Sequence, residues 1–305
     1  MQLPAAFRTR ITGVFGADGA GWLDALPSLL AEAEARWGLR VGAPFEPLSY
    51  NYVASAVRAG GEAAVMKAGV PGAELGNEVA ALRHYDGRGA VRLLEADADS
   101  GLLLLERVTP GTPLVEMGDD EEATRIAAAV MRRLWRPPPA GHKFPTVGDW
   151  LRGFERHRAR CDDGPGPFPA RLFDHAAALA AELLASSAAP VVLHGDLHHW
   201  NILRGEREPW LAIDPKGVVG EPAYEVGALL RNPTPHYLQW PSIDGIMARR
   251  VAILAETLGF ERERIAGWGL AQAVLSACWS YEDHGAGWEP AIACAEILER
   301  VLRRG

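Results

Sequence analysis

The chain has 305 residues, of which 48% are hydrophobic and 23% are charged, a balance typical of a globular protein with one large domain or two lobes. Its 31 basic and 39 acidic residues give a net charge of −8, and no basic cluster exceeds a pair or two, which argues against a nucleic-acid-binding protein. Three widely spaced cysteines disfavour a zinc ribbon or a disulfide framework and fit a reducing cytoplasm.

The first 107 residues predict a small sheet with accompanying helices. Apolar positions at helical spacing predict a helix over residues 22–37, with Gly38 as its C-cap. A second helix is predicted over residues 74–85. Strand-like segments cover residues 52–59, 63–67, 91–94 and 102–106, and a Gly-Gly turn joins the first two as a hairpin.

After a short Pro/Gly segment at residues 108–111, the pattern changes to long helices. Helices are predicted over residues 120–135, 147–160 and 170–186, and from about residue 247 to the end of the chain with breaks near Gly259 and Gly285. Short strands are predicted at residues 190–194, 201–203 and 210–213. We therefore expect an α+β protein with an N-terminal lobe at 1–107, a hinge at 108–112 and a C-terminal lobe at 113–305.

No segment predicts association with a membrane. The N-terminus lacks the apolar stretch of a signal peptide, and the Ala-rich segment 176–193 is interrupted by Glu182 and Pro190 and is too short to span a bilayer. We expect a cytoplasmic protein, and the sequence indicates no obligate protein partner.

The strongest chemical signal is the segment LHGDLHHWNIL at 193–203, followed by LAIDPKG at 211–217. Asp196 follows a predicted strand, Asn201 lies five residues later, and Asp214 ends the next strand but one. One carboxylate can accept a proton from an attacking hydroxyl, while an amide oxygen and a second carboxylate can hold Mg²⁺. This layout is typical of phosphoryl transfer.

The pattern HGDxxxxN followed by IDP resembles the catalytic and metal-binding loops of aminoglycoside phosphotransferases, which are relatives of protein kinases. The longer string EREPWLAIDPKGVVGEPAYEVGALLRNP (206–233) resembles the streptomycin 6-kinase and hydroxyurea phosphotransferase family of antibiotic kinases. WLDALPSLLAEAEARWGL (22–39) and WSYEDHG (279–285) extend the resemblance over most of the chain. It implies a two-lobed protein-kinase-like fold, with an antiparallel sheet in the N-terminal lobe and a mainly helical C-terminal lobe.

The resemblance also implies roles for residues of the catalytic loop. Asp196 would be the catalytic base, Asn201 and Asp214 would bind Mg²⁺, and His194 would support the loop. Glu225 stands where relatives usually carry aspartate and would cap a helix or support the same loop. The alternative is that Asp196 and Asn201 only cap a turn, as such residues often do.

Lys67 ends a predicted strand, and Glu78 lies on the following helix. In the kinase arrangement a strand lysine contacts the α- and β-phosphates, and a helix glutamate pairs with it. Glu74 is the rival partner. The alternative is a lysine at a strand edge beside an unrelated surface helix.

A kinase-like Gly-rich loop is missing, and residues 48–52 take its place. Ser49 and Asn51 could donate hydrogen bonds to phosphate. Tyr50 and Tyr52 are bulkier than a phosphate loop requires, and packed strand residues are an equal alternative for both.

By resemblance, the backbone of Glu106 and Val108 at the predicted hinge would hydrogen-bond adenine. Backbone contacts require little of the side chains, so the residue types themselves add no support.

A possible acceptor site lies near a C-terminal helix end. Trp279, Glu282 and Asp283 combine carboxylates with an aromatic ring, which suits a cationic amine-bearing sugar. His198 and His199 would orient the catalytic loop or border the acceptor site, and we assign His199 to the acceptor. The alternative is a solvated helix end with core tryptophans.

These observations predict an ATP- or GTP-dependent, Mg²⁺-dependent kinase acting on a hydroxyl group of a small molecule, such as streptomycin, another aminoglycoside or hydroxyurea. A same-fold kinase of an amino sugar or other metabolite is one alternative, and a nucleotide-binding module without transfer activity is another. A metal-dependent phosphohydrolase is suggested by Asp-x-His, but the GDxxD and GNH strings of such enzymes do not occur. Lys143, in a Pro-rich loop, receives no role.

Overall fold

The computed structural model describes residues 3–304 and divides into two compact units, Met1–Gly111 and Thr112–Gly305. The division falls within the segment 108–112. Each unit has its own secondary structure and its own buried residues, and each is described by itself below.

The first unit contains two helices and a five-stranded antiparallel sheet of strand order β1-β2-β3-β5-β4. Its elements in chain order are α1 (Ala5–Trp37), β1 (Leu39–Pro44), β2 (Tyr52–Arg58), β3 (Ala63–Ala68), α2 (Ala73–Tyr85), β4 (Leu93–Asp97) and β5 (Leu102–Glu106). Strand β3 lies at the centre of this sheet, so Lys67 stands between Val53 of β2 and Leu103 of β5.

Helix α1 begins much earlier than the sequence pattern indicates. It continues back to Ala5 across a kink at Gly16, and it ends at Gly38 in the left-handed conformation, as predicted. Phe7 is buried and meets Trp22 edge-on, with ring centroids 6.3 Å apart. The first turns therefore pack on the rest of the helix and on the sheet core, which a periodicity broken by glycines does not reveal.

The second unit is mainly helical. Its elements are β6 (Pro110–Pro113, across the division), α3 (Asp120–Leu134), α4 (Val147–Arg160), α5 (Ala170–Ala185), β7 (Val191–Leu193), β8 (Ile202–Gly205), β9 (Trp210–Ala212), β10 (Val218–Gly220), α6 (Val226–Leu230), α7 (Ile243–Leu258), α8 (Arg262–His284) and α9 (Glu289–Arg304). Helix α8 packs against α5, α6 and α9 and is buried almost all round between Ile265 and Cys278, as expected of a helix at the centre of a bundle.

Helices α3 and α4 of this unit carry side-chain caps at their N-termini. Asp119 accepts a hydrogen bond from the backbone of Glu122 and is the N-cap of α3, and Thr146 with Asp149 forms a capping box at α4. Within residues 3–304, no helix is long and apolar enough to cross a membrane.

Two small antiparallel pairings position the loops of interest. Strand β7 pairs with β10, and β8 pairs with β9. Asn201 directly precedes β8, and Asp214 follows β9 by two residues. The backbone N–H of Ile213 donates to the Asn201 carbonyl at 3.0 Å, so the pairing of β8 with β9 brings Asn201 beside the segment that carries Asp214.

Candidate functional site

Asp196 lies in the loop after β7 with its two carboxylate oxygens facing different groups. Oδ1 accepts a hydrogen bond from Arg231 Nη2 at 3.1 Å, and Oδ2 lies 3.6 Å from His198 Nε2. Burial alone would raise the pKa of Asp196, but His198, Arg231 and Lys216 outweigh it and hold that pKa below its ordinary value. The side chain is therefore a carboxylate at neutral pH.

His194 supports the loop from beneath. Its ring is fully buried, Nε2 lies 2.8 Å from the Ile213 carbonyl, and Nδ1 accepts a hydrogen bond from the backbone N–H of Asp196 at 3.3 Å. Burial lowers the pKa of His194 to about 4, so the ring is neutral. This geometry matches the supporting role that the resemblance implies.

Glu225 holds the same loop through its backbone. Its two carboxylate oxygens accept hydrogen bonds from the N–H groups of His194 at 2.7 Å and Gly195 at 2.8 Å. Gly195 has a φ of 85°, and a Cβ at this position would lie 2.7 Å from Trp150 Cη2. A glycine is therefore required here, both for the backbone conformation and for the close approach of the Trp150 ring.

We expect Glu225 to give the stability of the chain a distinct pH dependence. Burial raises the pKa of Glu225 from 4.5 to about 7, so between these values the folded chain binds a proton that the unfolded chain has released. The contribution of Glu225 to the free energy of unfolding therefore falls as the pH rises through this window. Urea denaturation at several pH values measures the free energy of unfolding of the wild type and of Glu225→Gln. Between about pH 4.5 and about pH 7, this free energy should fall for the wild type relative to the variant.

Glu182→Gln is the matched control, since Glu182 is an exposed carboxylate of the same unit. Its difference from the wild type should be nearly constant over the same range. A constant difference for Glu225→Gln as well would show that Glu225 does not titrate in this window.

Asn201 and Asp214 provide oxygen atoms that suit a hard cation. Asn201 Nδ2 donates to the Asp196 carbonyl at 3.0 Å, so the nitrogen of the amide is used within the loop and its oxygen is the potential metal ligand. Asp214 has a φ of 59° and follows the segment bonded to Asn201. Mg²⁺ is commonly held by one or two carboxylates together with waters and substrate phosphates, and these donors fit that requirement.

Residues 3–304 hold no group of three or more His, Cys, Asp or Glu side chains arranged to bind a metal ion.

In the first unit, Lys67 and Glu78 form a buried ion pair. Lys67 Nζ lies 2.7 and 2.8 Å from the two carboxylate oxygens of Glu78, and the residues are only 2% and 6% exposed. Since Lys67 is on the central strand β3 and Glu78 on α2, the pair fixes the ammonium group in one place on the sheet. Of the two glutamates considered as partners, the structure shows Glu78 in this bidentate contact.

The segment 48–52, which takes the place of a Gly-rich loop in the sequence, contacts Arg10 of helix α1. The Leu48 carbonyl accepts a hydrogen bond from Arg10 Nη1 at 2.9 Å, and the Arg10 guanidinium lies 5.8 Å from the centre of the Tyr50 ring. Tyr50 is 44% exposed, whereas Tyr52 is buried within β2, so one tyrosine is a packed strand residue and the other is not.

The donors expected in this segment differ in their surroundings. Ser49 is exposed, while Asn51 packs against Gly69, where an added Cβ would lie 2.3 Å from Asn51 Oδ1. At the other end of the sheet, the Glu106 N–H donates to the Arg92 carbonyl at 2.9 Å, and Val108 is buried. The roles of these residues toward a nucleotide remain predictions.

The expected acceptor residues are distributed over two places. Trp279 meets Trp150 edge-on, with centroids 5.6 Å apart. Glu282 accepts hydrogen bonds from Arg156 at 3.2 and 3.4 Å, so its charge is already balanced within the chain, and Asp283 is exposed.

His199 lies elsewhere, in the short turn His199–Asn201. It is 3% exposed, burial lowers its pKa to about 3, and within residues 3–304 neither ring nitrogen has a hydrogen-bond partner. The ring is therefore buried and neutral, and the role of His199 toward an acceptor remains a prediction.

Two residues at this site were given no role from the sequence. Arg231 lies in GALLRNP, inside the string that carries the family resemblance. A charged residue directly after an apolar run is the sequence signal that could have identified it. Trp150 packs on Gly195 from α4, far away in the chain, and no sequence signal marks that contact.

Comparison with solved structures shows the fold. The chain superimposes on a choline kinase from Streptococcus pneumoniae with a TM-score of 0.64 at 11% identity, covering 92% of this chain and 100% of the other. A thermostable mutant of an aminoglycoside phosphotransferase, solved with ADP and hygromycin B, gives a TM-score of 0.64 at 14% identity, covering 91% and 99%. The two-lobed protein-kinase-like fold is confirmed.

Comparison of sequences is more specific. The chain is 32% identical to streptomycin 6-kinase of Streptomyces glaucescens, over 99% of this chain and 97% of that protein. It is 38% identical to hydroxyurea phosphotransferase of Kitasatospora aureofaciens, over 93% and 82%. The family model for aminoglycoside/hydroxyurea antibiotic resistance kinases matches residues 41–284. The chain therefore belongs to the aminoglycoside/hydroxyurea antibiotic resistance kinase family.

Proposed function

We propose that this protein transfers the γ-phosphoryl group of ATP to a hydroxyl group of an antibiotic, with streptomycin and hydroxyurea as the first acceptors to consider. The observation that carries the proposal is the placement of Asp196, Asn201 and Asp214 on loops joined by hydrogen bonds in the second unit. Family membership adds the reaction class, because the named relatives are kinases or phosphotransferases.

In the proposed reaction, the acceptor hydroxyl lies against the carboxylate of Asp196. The oxygen of the acceptor hydroxyl forms a bond to the γ-phosphorus. The bond between that phosphorus and the β–γ bridging oxygen breaks, and ADP leaves. The hydroxyl proton passes to Asp196, late in a loose transition state where positioning contributes most of the catalysis. Mg²⁺, held by Asn201 and Asp214, would neutralise the charge of the phosphates.

The first unit would supply the nucleotide contacts. The ammonium of Lys67, held by Glu78, is the group that would contact the α- and β-phosphates. Ser49 and Asn51 would face the phosphates, and the backbone of Glu106 and Val108 would hydrogen-bond the base. GTP is the alternative donor under the same scheme.

Lys67→Met should weaken nucleotide binding by about 10- to 100-fold, because it removes a charge-assisted contact to phosphate of about 1.5–3 kcal/mol. Titration calorimetry with the nonhydrolysable analogue of ATP measures the change. Lys143→Met is the matched control, since Lys143 is an exposed lysine in a loop and should bind the analogue as the wild type does. Equal affinity of the Lys67 and Lys143 variants would remove Lys67 from the phosphate site.

The acceptor is the part of the proposal to be tested first. An assay that couples ADP release to a colour change, run with streptomycin, other aminoglycosides, hydroxyurea and amino sugars, should show acceptor-dependent ATP consumption. Mass spectrometry of the product should show the gain of one phosphoryl group. Nucleotide binding without transfer to any acceptor would favour a binding module, and phosphate release from phosphate esters without ATP would favour a hydrolase.

The remaining expectations follow from the same proposal. The partner is a small molecule that carries a hydroxyl group, and the site of action is the cytoplasm. Trp279, with Glu282 and Asp283 at the end of α8, remains our candidate for contact with the acceptor beyond its reacting hydroxyl. The Trp150 ring lies between Trp279 and Gly195 and would join that surface.

A further inference from the structure

Arg231 is a cationic side chain of the second unit that hydrogen-bonds the carboxylate of Asp196. Its Nη2 donates to Asp196 Oδ1 at 3.1 Å, and both side chains are mostly buried. The two residues are 35 positions apart, so the contact depends on the tertiary fold and not on the local loop.

The remaining contacts of Arg231 are weak. Nη1 lies 3.5 Å from Ser276 Oγ on α8, at the limit of a hydrogen bond, and the buried Nε has no hydrogen-bond partner within residues 3–304. A buried ion pair with an unfilled donor is poor evidence for a gain in stability, because the cost of removing both charges from water is not fully repaid. The contact therefore calls for an explanation other than stability.

The backbone that carries Arg231 is held firmly. Arg231 is the C-cap residue directly after helix α6, and the carbonyl of the next residue, Asn232, accepts a hydrogen bond from Arg250 Nη1 at 2.7 Å. Arg250 is itself bound to Asp120 of α3 through Nε at 3.0 and 3.1 Å. The segment that carries Arg231 is thus joined to α7 and α3 through Arg250.

The two oxygens of the Asp196 carboxylate consequently have different neighbours. Oδ1 is occupied by Arg231, while Oδ2 faces His198 Nε2 at 3.6 Å, beyond the distance of a good hydrogen bond. Asn201 Nδ2 lies 3.5 Å from the same His198 nitrogen, so His198 lies near both Oδ2 and the proposed metal ligand. Arg231 therefore binds Oδ1 and leaves Oδ2 on the side of His198.

We propose that Arg231 is a positioning residue for phosphoryl transfer: it holds Oδ1 of Asp196 and so presents Oδ2 to the acceptor hydroxyl. This inference rests on the proposed function, since it assigns the two oxygens of the proposed base. Arg231 itself touches neither the phosphates nor the acceptor in this scheme.

Arg231→Ala should lower kcat by about 100-fold, the size expected when a catalytic group is misplaced by about 1 Å. The KM for ATP should change by less than about twofold, because the nucleotide contacts assigned above do not involve Arg231. Arg231→Lys keeps the charge without the planar fork and should recover only part of the loss. Guanidinium chloride added to Arg231→Ala at concentrations below those that unfold the chain should restore part of kcat, whereas sodium chloride at equal ionic strength should not.

Arg125→Ala is the matched control, because Arg125 forms an exposed pair with Glu121 on α3 and should leave all rates unchanged. A kcat for Arg231→Ala within about threefold of the wild type would overturn the proposal. A loss of both melting temperature and kcat that neither the Arg231→Lys variant nor added guanidinium chloride reverses would also overturn it.

A crystal structure of Arg231→Ala separates this inference from the proposed function. We expect the Asp196 carboxylate to be rotated from its wild-type position or to occupy more than one rotamer. An unchanged carboxylate would overturn the positioning role whatever the acceptor. If the wild type phosphorylates no acceptor in the screen, the proposed function fails, and the position of the carboxylate still decides whether Arg231 sets its orientation.

Discussion

Asp196→Asn should lower kcat by about 1,000-fold, since general base catalysis by a positioned side chain contributes about 10²–10⁴ to a rate. The amide has the size of the carboxylate and can still accept the hydrogen bond from Arg231 through its oxygen, so the loop should keep its conformation. It cannot take up the proton of the acceptor hydroxyl. The coupled assay measures kcat, and calorimetry with the ATP analogue should give an affinity close to that of the wild type.

Asp174→Asn provides the comparison. Asp174 is an exposed carboxylate of the same unit paired with Arg158 at 2.7 Å, so its conversion to the amide changes the same charge away from the loop. The two variants should have similar melting temperatures and very different rates. A kcat for Asp196→Asn within about fivefold of the wild type would mean that Asp196 is not the base.

Arg250→Ala should have the largest effect on stability and lower the free energy of unfolding by about 3–5 kcal/mol. The reason is that the groups paired with the buried guanidinium lose their hydrogen-bond donors and their opposite charge. Arg250 is 1% exposed and binds Asp120 and the Asn232 carbonyl. Its guanidinium also lies 5.8 and 5.5 Å from the ring centres of Tyr237 and Trp240, so truncation would open a cavity between them. Urea denaturation followed by circular dichroism measures the loss.

The neighbouring residue supplies a close control. Arg249 forms the same type of pair with Glu121, next to Asp120 in the sequence, but at an exposed site. Arg249→Ala should therefore unfold at nearly the urea concentration of the wild type. Equal losses in the two variants would show that burial of the Arg250 pair is not what makes it important.

The sequence predicted elements best where the local signals agree. The helix expected over residues 147–160 is α4 to the residue, because Thr146 and Asp149 cap its start and the apolar positions keep one period. Strand β1 was not predicted, since it is an edge strand with glycine and proline and has a single buried residue. The start of α1 was missed because its apolar residues are sparse on either side of the Gly16 kink.

The site divides in the same way. The order and spacing of Asp196, Asn201 and Asp214 lie within one short stretch of chain, so they could be recognised by resemblance. The contact of Arg231 with Asp196 and the pairing of Glu282 with Arg156 across 126 positions depend on which helices pack together. Periodicity gives the buried face of a helix but does not give its neighbour, so these contacts could not be read from the sequence.

The left-handed backbone at Asp214 has a consequence for how this family can vary. At a φ of 59°, asparagine and aspartate are tolerated far better than other non-glycine residues, because their short polar side chains can hydrogen-bond locally. The conformation of the chain thus admits almost the same residue types that the proposed metal site demands. Apart from glycine, substitutions that abolish the oxygen donor would also strain the turn, so a single change at this position would weaken both metal binding and the stability of the chain.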